Sequence, residues 1–186
     1  QSLAIHSRSV WQDDYPGGGD VFMPTFVILG DSGWKIGRVQ EIAQKAAALI
    51  RACGITVRPA GVLEVEANPS LRDFSRSNAK LLAGKVMPGG SRVFFIRDTL
   101  DRPAYDAVTF GTGNSRRNPE LRFTVWITAL TRDPHIALAH ELVHVLLDDG
   151  AHSALPDNLM RADTAPGNLL LTPEQCTRMR DSARKN

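Results

Sequence analysis

The most constraining feature of the chain is the stretch "HELVHVLLDDGAH", residues 140–152, which contains three of its five histidines. Asp133 and Pro134 precede it as a typical helix start, the first as N-cap and the second at the first helical position. From Ile136 to Leu147 apolar side chains occur almost all round the helix, which is typical of a buried helix. The sequence therefore predicts a core helix that ends at "DDG".

Two histidines and a glutamate interrupt the apolar surface of this helix. His140 and His144 are four residues apart, so their imidazoles project from one face, one turn apart. That spacing lets two ring nitrogens reach one metal ion about 2.0–2.1 Å away. Glu141 lies on the neighbouring flank, where it can take a proton from a water without being a ligand. As core residues, each of the three would need a buried partner of its own. The pattern indicates a zinc site with Glu141 as general base.

A third histidine follows the end of this helix. Gly150 permits a sharp turn, and His152 stands eight residues after His144. A chain that reverses there can bring His152 back to the metal as a third ligand and leave one position open. We expect His152 to complete the metal site.

Other residues could supply the third ligand or add to it. Glu174 lies thirty residues beyond His144, but "TPEQ" fits a helix start with a capping box better. Asp148 and Asp149 are a second possibility, although at a helix end we expect them to face solvent. His135 and His6 are expected not to be ligands.

The wider stretch "HELVHVLLDDGAHSALPDNLM" resembles the metzincin metallopeptidases and, within them, the matrixins. Their pattern combines HExxH, a glycine turn, a third histidine and a Met-turn methionine, which is Met160 here. The resemblance covers residues 140–160, and the order of predicted elements agrees with it. The interval between the helix and the third histidine is two residues longer than in HExxHxxGxxH. No tyrosine follows Met160.

The resemblance implies a zinc-dependent endopeptidase. His140, His144 and His152 would hold zinc above Met160, and Glu141 would be the general base. The substrate would be a protein or peptide that lies extended along an edge strand of the sheet. The strand candidates for that edge are 123–129 and 107–111, and the sequence leaves the choice between them open.

The pattern along the rest of the chain predicts an α/β (α+β) fold. An amphipathic helix with Gly54 at its end spans 37–54, and residues 68–91 could hold a short helix or a long loop. Strand-like runs occupy 25–30, 55–67 (one strand or two, broken at 59–61), 92–98, 107–111 and 123–129. We expect a zincin-like three-layer domain with a mixed twisted sheet, a long backing helix, the zinc helix, a Met-turn and a C-terminal helix.

The length of 186 residues predicts a single domain, expected to be a monomeric catalytic unit. Residues 1–24 read as an N-terminal extension that includes a Pro/Gly-rich loop over 11–20. Residues 25–149 would form an upper subdomain with the sheet and the zinc helix. Residues 150–186 would form a lower subdomain with the third ligand, the Met-turn and the last helix. Within it, 161–170 should wall the pocket for the residue after the cut.

Charge and hydropathy argue against two classes of partner. A net charge of +2 gives no reason to expect nucleic acid or a membrane surface. No apolar run approaches the roughly 18–20 residues of a membrane span. The chain begins at Gln1 without an initiator Met or a signal-type segment, and we expect a mature form or an excised domain.

The two cysteines, Cys53 and Cys176, permit one disulfide, and two buried thiols would fit equally well. Neither stands at zinc-finger spacing. A disulfide would fit a secreted or periplasmic protein, and an effector domain cut from a larger secreted polypeptide is the alternative.

Two other functions compete with the endopeptidase. One is a zinc hydrolase of non-protein amides such as cell-wall peptides. The other is a non-catalytic domain with a structural zinc or none, against which Glu141 argues, because a structural site has no use for a base. The sequence indicates neither a cleavage preference, nor an inhibitor, nor a calcium loop.

Overall fold

The computed structural model describes residues 4–9, 19–86, 89–100 and 107–184. The strands are β1 (Ala4–Ser9), β2 (Asp20–Phe22), β3 (Thr25–Leu29), β4 (Ile55–Val57), β5 (Gly61–Glu66), β6 (Arg92–Ile96), β7 (Ala107–Phe110) and β8 (Thr124–Thr128). The helices are α1 (Ile36–Arg51), α2 (Arg76–Lys85), α3 (Pro134–Leu147) and α4 (Pro173–Ala183), with 3₁₀ turns at Pro69–Leu71 and Pro119–Leu121.

Six strands form one mixed sheet in the order β1-β5-β3-β6-β8-β7, and β2 and β4 form a separate parallel pair. The inner strands run parallel, whereas β1 and β7 run antiparallel to their neighbours at the two edges. Every residue of β3, β6 and β8 is buried. Such continuous burial is typical of parallel strands with helices on both faces.

The helices divide the core into two clusters, one on each face of the sheet. α1, α3 and α4 contribute to the first cluster, and α2 contributes to the second. α1 directs Val39, Ile42, Ala46 and Ile50 into the core and packs beside α3. The predicted three-layer α/β fold with a long backing helix is therefore confirmed.

Most predicted elements are present; the structure decides two places that the sequence left open and adds strands near the N-terminus. The run 55–67 forms two strands, because residues 58–60 between them belong to neither strand. The region 68–91 contains α2, which begins where the Ser75 side chain accepts a hydrogen bond from the Asn78 amide. Residues 1–24, expected to be an extension, contribute β1 to the main sheet and β2 to the small one, while 10–18 lie outside the described residues.

Both α3 and α4 begin where predicted, although the contact that caps α3 differs from the predicted one. α4 has the predicted capping box between Thr172 and Gln175. α3 begins after Asp133, but the Asp133 carboxylate makes no capping hydrogen bond. The Asp133 carbonyl accepts from the amides of Ile136 and Ala137 instead. No helix in the described ranges is both long and apolar enough to cross a membrane.

A disulfide joins Cys53, just beyond the end of α1, to Cys176 in the first turn of α4, with the two Cα atoms 4.8 Å apart. The alternative of two free thiols is thereby excluded. The bridge holds the last helix against the backing helix across a sequence separation of 123 residues.

Replacing both cysteines by Ala should lower the free energy of unfolding by roughly 4–5 kcal/mol, because the bridge restricts a very long loop in the unfolded chain. Urea unfolding of the wild type and of C53A/C176A, followed by far-UV circular dichroism, measures the difference. The wild type in reductant is the matched control and should unfold at the same lower midpoint as the variant. Equal midpoints with and without reductant would contradict the prediction.

Candidate metal centre and cleft

Three histidines converge at the C-terminal half of α3. His140 and His144 come from successive turns of the helix, and His152 comes from the loop that follows. One ring nitrogen of each lies within 4.8 Å of those of the other two. His140 and His144 are buried, whereas His152 is exposed to solvent. The predicted third histidine therefore returns to the helix face that carries the first two.

Backbone carbonyls set the protonation of the two helical histidines. His140 Nδ1 lies 2.7 Å from the Leu159 carbonyl oxygen, and His144 Nδ1 lies 2.6 Å from that of Asp149. A carbonyl oxygen only accepts, so each Nδ1 must carry the hydrogen and donate it. Burial lowers the pKa of both histidines, which favours neutral rings. Each Nε2 is then left with an unprotonated lone pair.

These two lone pairs face each other, since His140 Nε2 and His144 Nε2 are 3.0 Å apart. A hydrogen bond between them would require an extra proton on a buried ring, which desolvation opposes. A cation shared by both nitrogens removes the conflict. Tetrahedral zinc with bonds of about 2.0–2.1 Å separates its nitrogen ligands by about 3.3 Å, close to the observed spacing. The three-histidine donor set therefore fits zinc.

The chain reverses after α3 at Asp148, not at Gly150 as the sequence suggested. Asp148 adopts a left-handed conformation (φ 45°, ψ 42°), which Asp tolerates better than most residues. Its carboxylate accepts from the Thr112 amide at 2.7 Å and from the Thr112 hydroxyl at 2.5 Å. A Cβ on Gly111 would lie 2.7 Å from Asp148 Oδ1, so a side chain there would displace the carboxylate from this position. These contacts thus attach the segment between α3 and His152, which is two residues longer than in HExxHxxGxxH, to the β7–β8 connection.

A compact segment lies beneath the histidines. Met160 is buried, its carbonyl accepts from the Ser153 amide, and its amide donates to the Asn158 side chain. The Asn158 amide group donates in turn to Gln175 of α4 at 3.0 Å. These contacts hold the Leu159 carbonyl in the position where it accepts from His140.

Glu141 is half-buried and lines an open cleft of about 420 Å³ together with His144 and His152. Burial raises the pKa of its carboxyl group, and His144 and the Thr109 hydroxyl oppose that shift. The Thr109 hydroxyl lies in close contact with Glu141 Oε2. A carboxylate beside the three imidazoles is placed to exchange protons with a molecule in the cleft.

The strand that borders the cleft is β7. Residues 107–109 line it, whereas β8 is paired on both sides, with β6 and with β7. Of the two candidates that the sequence left open, 107–111 is therefore the one that, among the described strands, has an edge without a strand partner beside the histidines.

Among the described residues, the cluster of possible metal ligands consists of the three histidines and includes none of the other candidates. Glu174 is exposed in the first turn of α4, and His135 lies in the first turn of α3. The Asp148 carboxylate is engaged by Thr112, and that of Asp149 pairs with Arg178 at 3.1 Å. The side chain of His6 lies outside the described residues, and Cys53 and Cys176 are bonded to each other.

Sequence reasoning missed the residues that support the cluster. Thr109, Asn158, Gln175 and Arg178 contact Glu141 or the segments that hold the two carbonyls. None belongs to a motif with the histidines. Only the capping-box role of Gln175 was visible in the sequence, and its second contact, to Asn158, depends on how α4 packs.

Comparison with known proteins gives a fold but no family. No protein-family model and no curated protein sequence matches the chain. Among solved structures, 75 chains match it. One is metalloproteinase-II from Bacteroides fragilis, with a TM-score of 0.62 and 18% sequence identity; the match covers 91% of this chain and 56% of that one. The chain thus spans little more than half of that protein's length. It has a metalloproteinase-like mixed α/β fold.

Purified protein should contain about one zinc per chain, and the loss of His152 should weaken binding most clearly. We expect His152→Ala to reduce zinc affinity by more than about 100-fold, beyond the range typical of residues that only support ligands. Glu174→Ala, the matched control, should retain zinc and lose at most about 1 kcal/mol of stability at the helix end. Competition with a chromophoric chelator measures both. The reverse ranking would make Glu174 the ligand.

Substitutions of Asp148 separate the turn from its anchor. Asp148→Gly keeps the left-handed turn but removes the carboxylate, and Asp148→Ala removes both. Because Thr112 holds the loop through that carboxylate, Asp148→Gly should weaken zinc binding about tenfold, Asp148→Ala by more, and Asp148→Asn by less. The same chelator competition measures the series. Zinc affinity of Asp148→Gly equal to that of the wild type would show that the turn alone suffices.

Proposed function

We propose that this protein is a zinc-dependent endopeptidase. The observation that carries the proposal is the pair of facing, unprotonated Nε2 atoms on His140 and His144, with His152 beside them and Glu141 at the same cleft. A purely structural zinc site needs no such carboxylate and no cleft. The metalloproteinase-like fold supports the same conclusion.

The chain's residues divide the chemistry between them. His140, His144 and His152 would hold zinc, which when bound activates water and polarises a carbonyl. Glu141 accepts a proton from the attacking water, whose oxygen bonds to the scissile carbonyl carbon. As the C–N bond breaks, Glu141 delivers that proton to the departing amine.

The substrate is proposed to be an extended protein or peptide segment. No described strand pairs with the edge of β7 beside the cleft, and a peptide could add its backbone there as a further strand. The segment 161–170 remains our proposal for the wall of the pocket that receives the residue after the cut. Leu169 and Leu170 in this segment are exposed, which is compatible with an apolar contact surface.

A metzincin-like, matrixin-like arrangement is proposed on the same grounds. The antiparallel edge strand, the three histidines and a buried Met160 beneath them support it. The longer interval before His152 is accommodated by the turn at Asp148. The disulfide supports a secreted or periplasmic location for the protein, which we propose to act as a monomer.

Glu141→Gln tests the proposed function directly. The amide cannot accept the proton, so turnover should fall by at least about 100-fold while zinc content and fold are retained. Hydrolysis of casein is followed alongside zinc analysis and circular dichroism. Glu174→Gln, the same change at an exposed glutamate outside the cluster, is the matched control and should keep wild-type turnover.

Cell-wall muropeptides, offered under the same conditions, separate the endopeptidase from a hydrolase of non-protein amides. Cleavage of muropeptides with intact casein would favour the second class. Wild-type turnover in Glu141→Gln, or loss of its zinc, would show that the role assigned to this residue is wrong.

A further inference from the structure

We propose that Thr109 is the positioning residue for Glu141, holding its carboxylate in the orientation that proton transfer requires. The inference rests on the proposed function. It gives the edge strand β7 a second role besides binding substrate, which is to orient Glu141. It is carried by the contact between the two side chains and by the geometry of β7.

The contact occupies one oxygen of the base. The Thr109 hydroxyl lies against Glu141 Oε2 and 3.4 Å from the Glu141 backbone oxygen. A carboxylate only accepts, so the hydroxyl donates. Oε1 carries no hydrogen bond from Thr109, and we infer that it is the oxygen that receives a proton from a molecule in the cleft. The two carboxylate oxygens thereby differ: Oε2 accepts the hydrogen bond from Thr109, and Oε1 is the proposed proton acceptor.

The pleat of β7 directs Thr109 toward α3. Ala107 packs with the core cluster on the α3 face, whereas Val108 and Phe110 pack with the cluster on the opposite face. Side chains alternate along a strand, so position 109 shares the face of Ala107. On this side the neighbours are small, with Gly111 next along the face. β7 therefore approaches α3 closely enough for a short side chain to reach Glu141.

A β-branched alcohol suits this position. Glutamate has three rotatable side-chain bonds, and a mobile carboxylate would have to be ordered in each catalytic cycle. Threonine is stiff about its first side-chain bond, and its half-buried position restricts it further. Its hydroxyl thus offers Glu141 a fixed donor from a strand rather than from a mobile loop.

The same strand links the base to the substrate. β7 pairs with β8 through one edge, with Thr109 opposite Val125, and the proposed peptide would pair along the other edge. The residue that borders the substrate backbone would then also fix the carboxylate that acts on it. Any shift of β7 relative to α3 would therefore change the distance from Thr109 to Glu141 and, with it, the distance from the substrate backbone to Glu141.

Thr109→Val tests the inference, because it keeps the shape of the side chain and removes the hydroxyl. We expect kcat on a peptide substrate to fall about tenfold or more, as for loss of a hydrogen bond to a charged group. KM should stay within about twofold of the wild type, and zinc content should not change. Thr109→Ser, which restores the hydroxyl, should recover most of kcat. Thr56→Val on β4, away from the cleft, is the matched control.

A second measurement is independent of turnover. In metal-free protein, the side-chain carboxyl ¹³C resonance of Glu141, assigned by its loss in Glu141→Gln, should shift in Thr109→Val and return in Thr109→Ser. A residue needed only for stability would lower the unfolding midpoint without moving this resonance or kcat.

The outcomes distinguish the two proposals. A wild-type protein that cleaves no peptide in the presence of zinc overturns the proposed function, and the inference with it. An active wild type, an inactive Glu141→Gln and an unimpaired Thr109→Val overturn the inference alone. The inference is likewise overturned if Thr109→Ser is as slow as Thr109→Val, because the hydroxyl would then not be the acting group.

Discussion

The site depends on two buried imidazole nitrogens that face each other without a proton between them. His140 and His144 hold this arrangement because each donates its other ring hydrogen to a backbone carbonyl, that of Leu159 or that of Asp149. Burial lowers the pKa of both rings, which favours their neutral form, and two facing lone pairs are unfavourable unless a cation lies between them. The contacts of Asn158, Gln175 and Arg178 keep those two carbonyls in place.

One turn of α4 makes most of the contacts that hold the Leu159 and Asp149 carbonyls in place. Gln175 contacts the segment beneath the histidines through Asn158, and Arg178 pairs with the Asp149 side chain. Between them, Cys176 bonds to Cys53 at the end of the backing helix. One turn of α4 therefore connects the segments that carry both supporting carbonyls to the disulfide and the backing helix.

Much of the fold could be predicted because its signals are local. The all-round apolar α3, the amphipathic α1 and the buried strands each express a periodicity within one element. The N-terminal strands carried no such signal, since β1 acquires its structure by pairing with β5 more than fifty residues along the chain. The same distinction applies to the site, where the i,i+4 spacing of His140 and His144 is visible in the sequence and their carbonyl partners are not.

The sequence by itself determined that His140 and His144 share one face of a helix with Glu141 beside them, because one helical turn places residues four apart on one face. Only the tertiary structure decided that β7 is the edge of the described sheet beside the cleft, that Asp148 makes the turn and that Thr109 touches Glu141. Thr109 and Glu141 are 32 residues apart, and the antiparallel return of β7 beside β8 brings them together. Contacts of that kind arise from the order of strands in the sheet, which no spacing within the motif encodes.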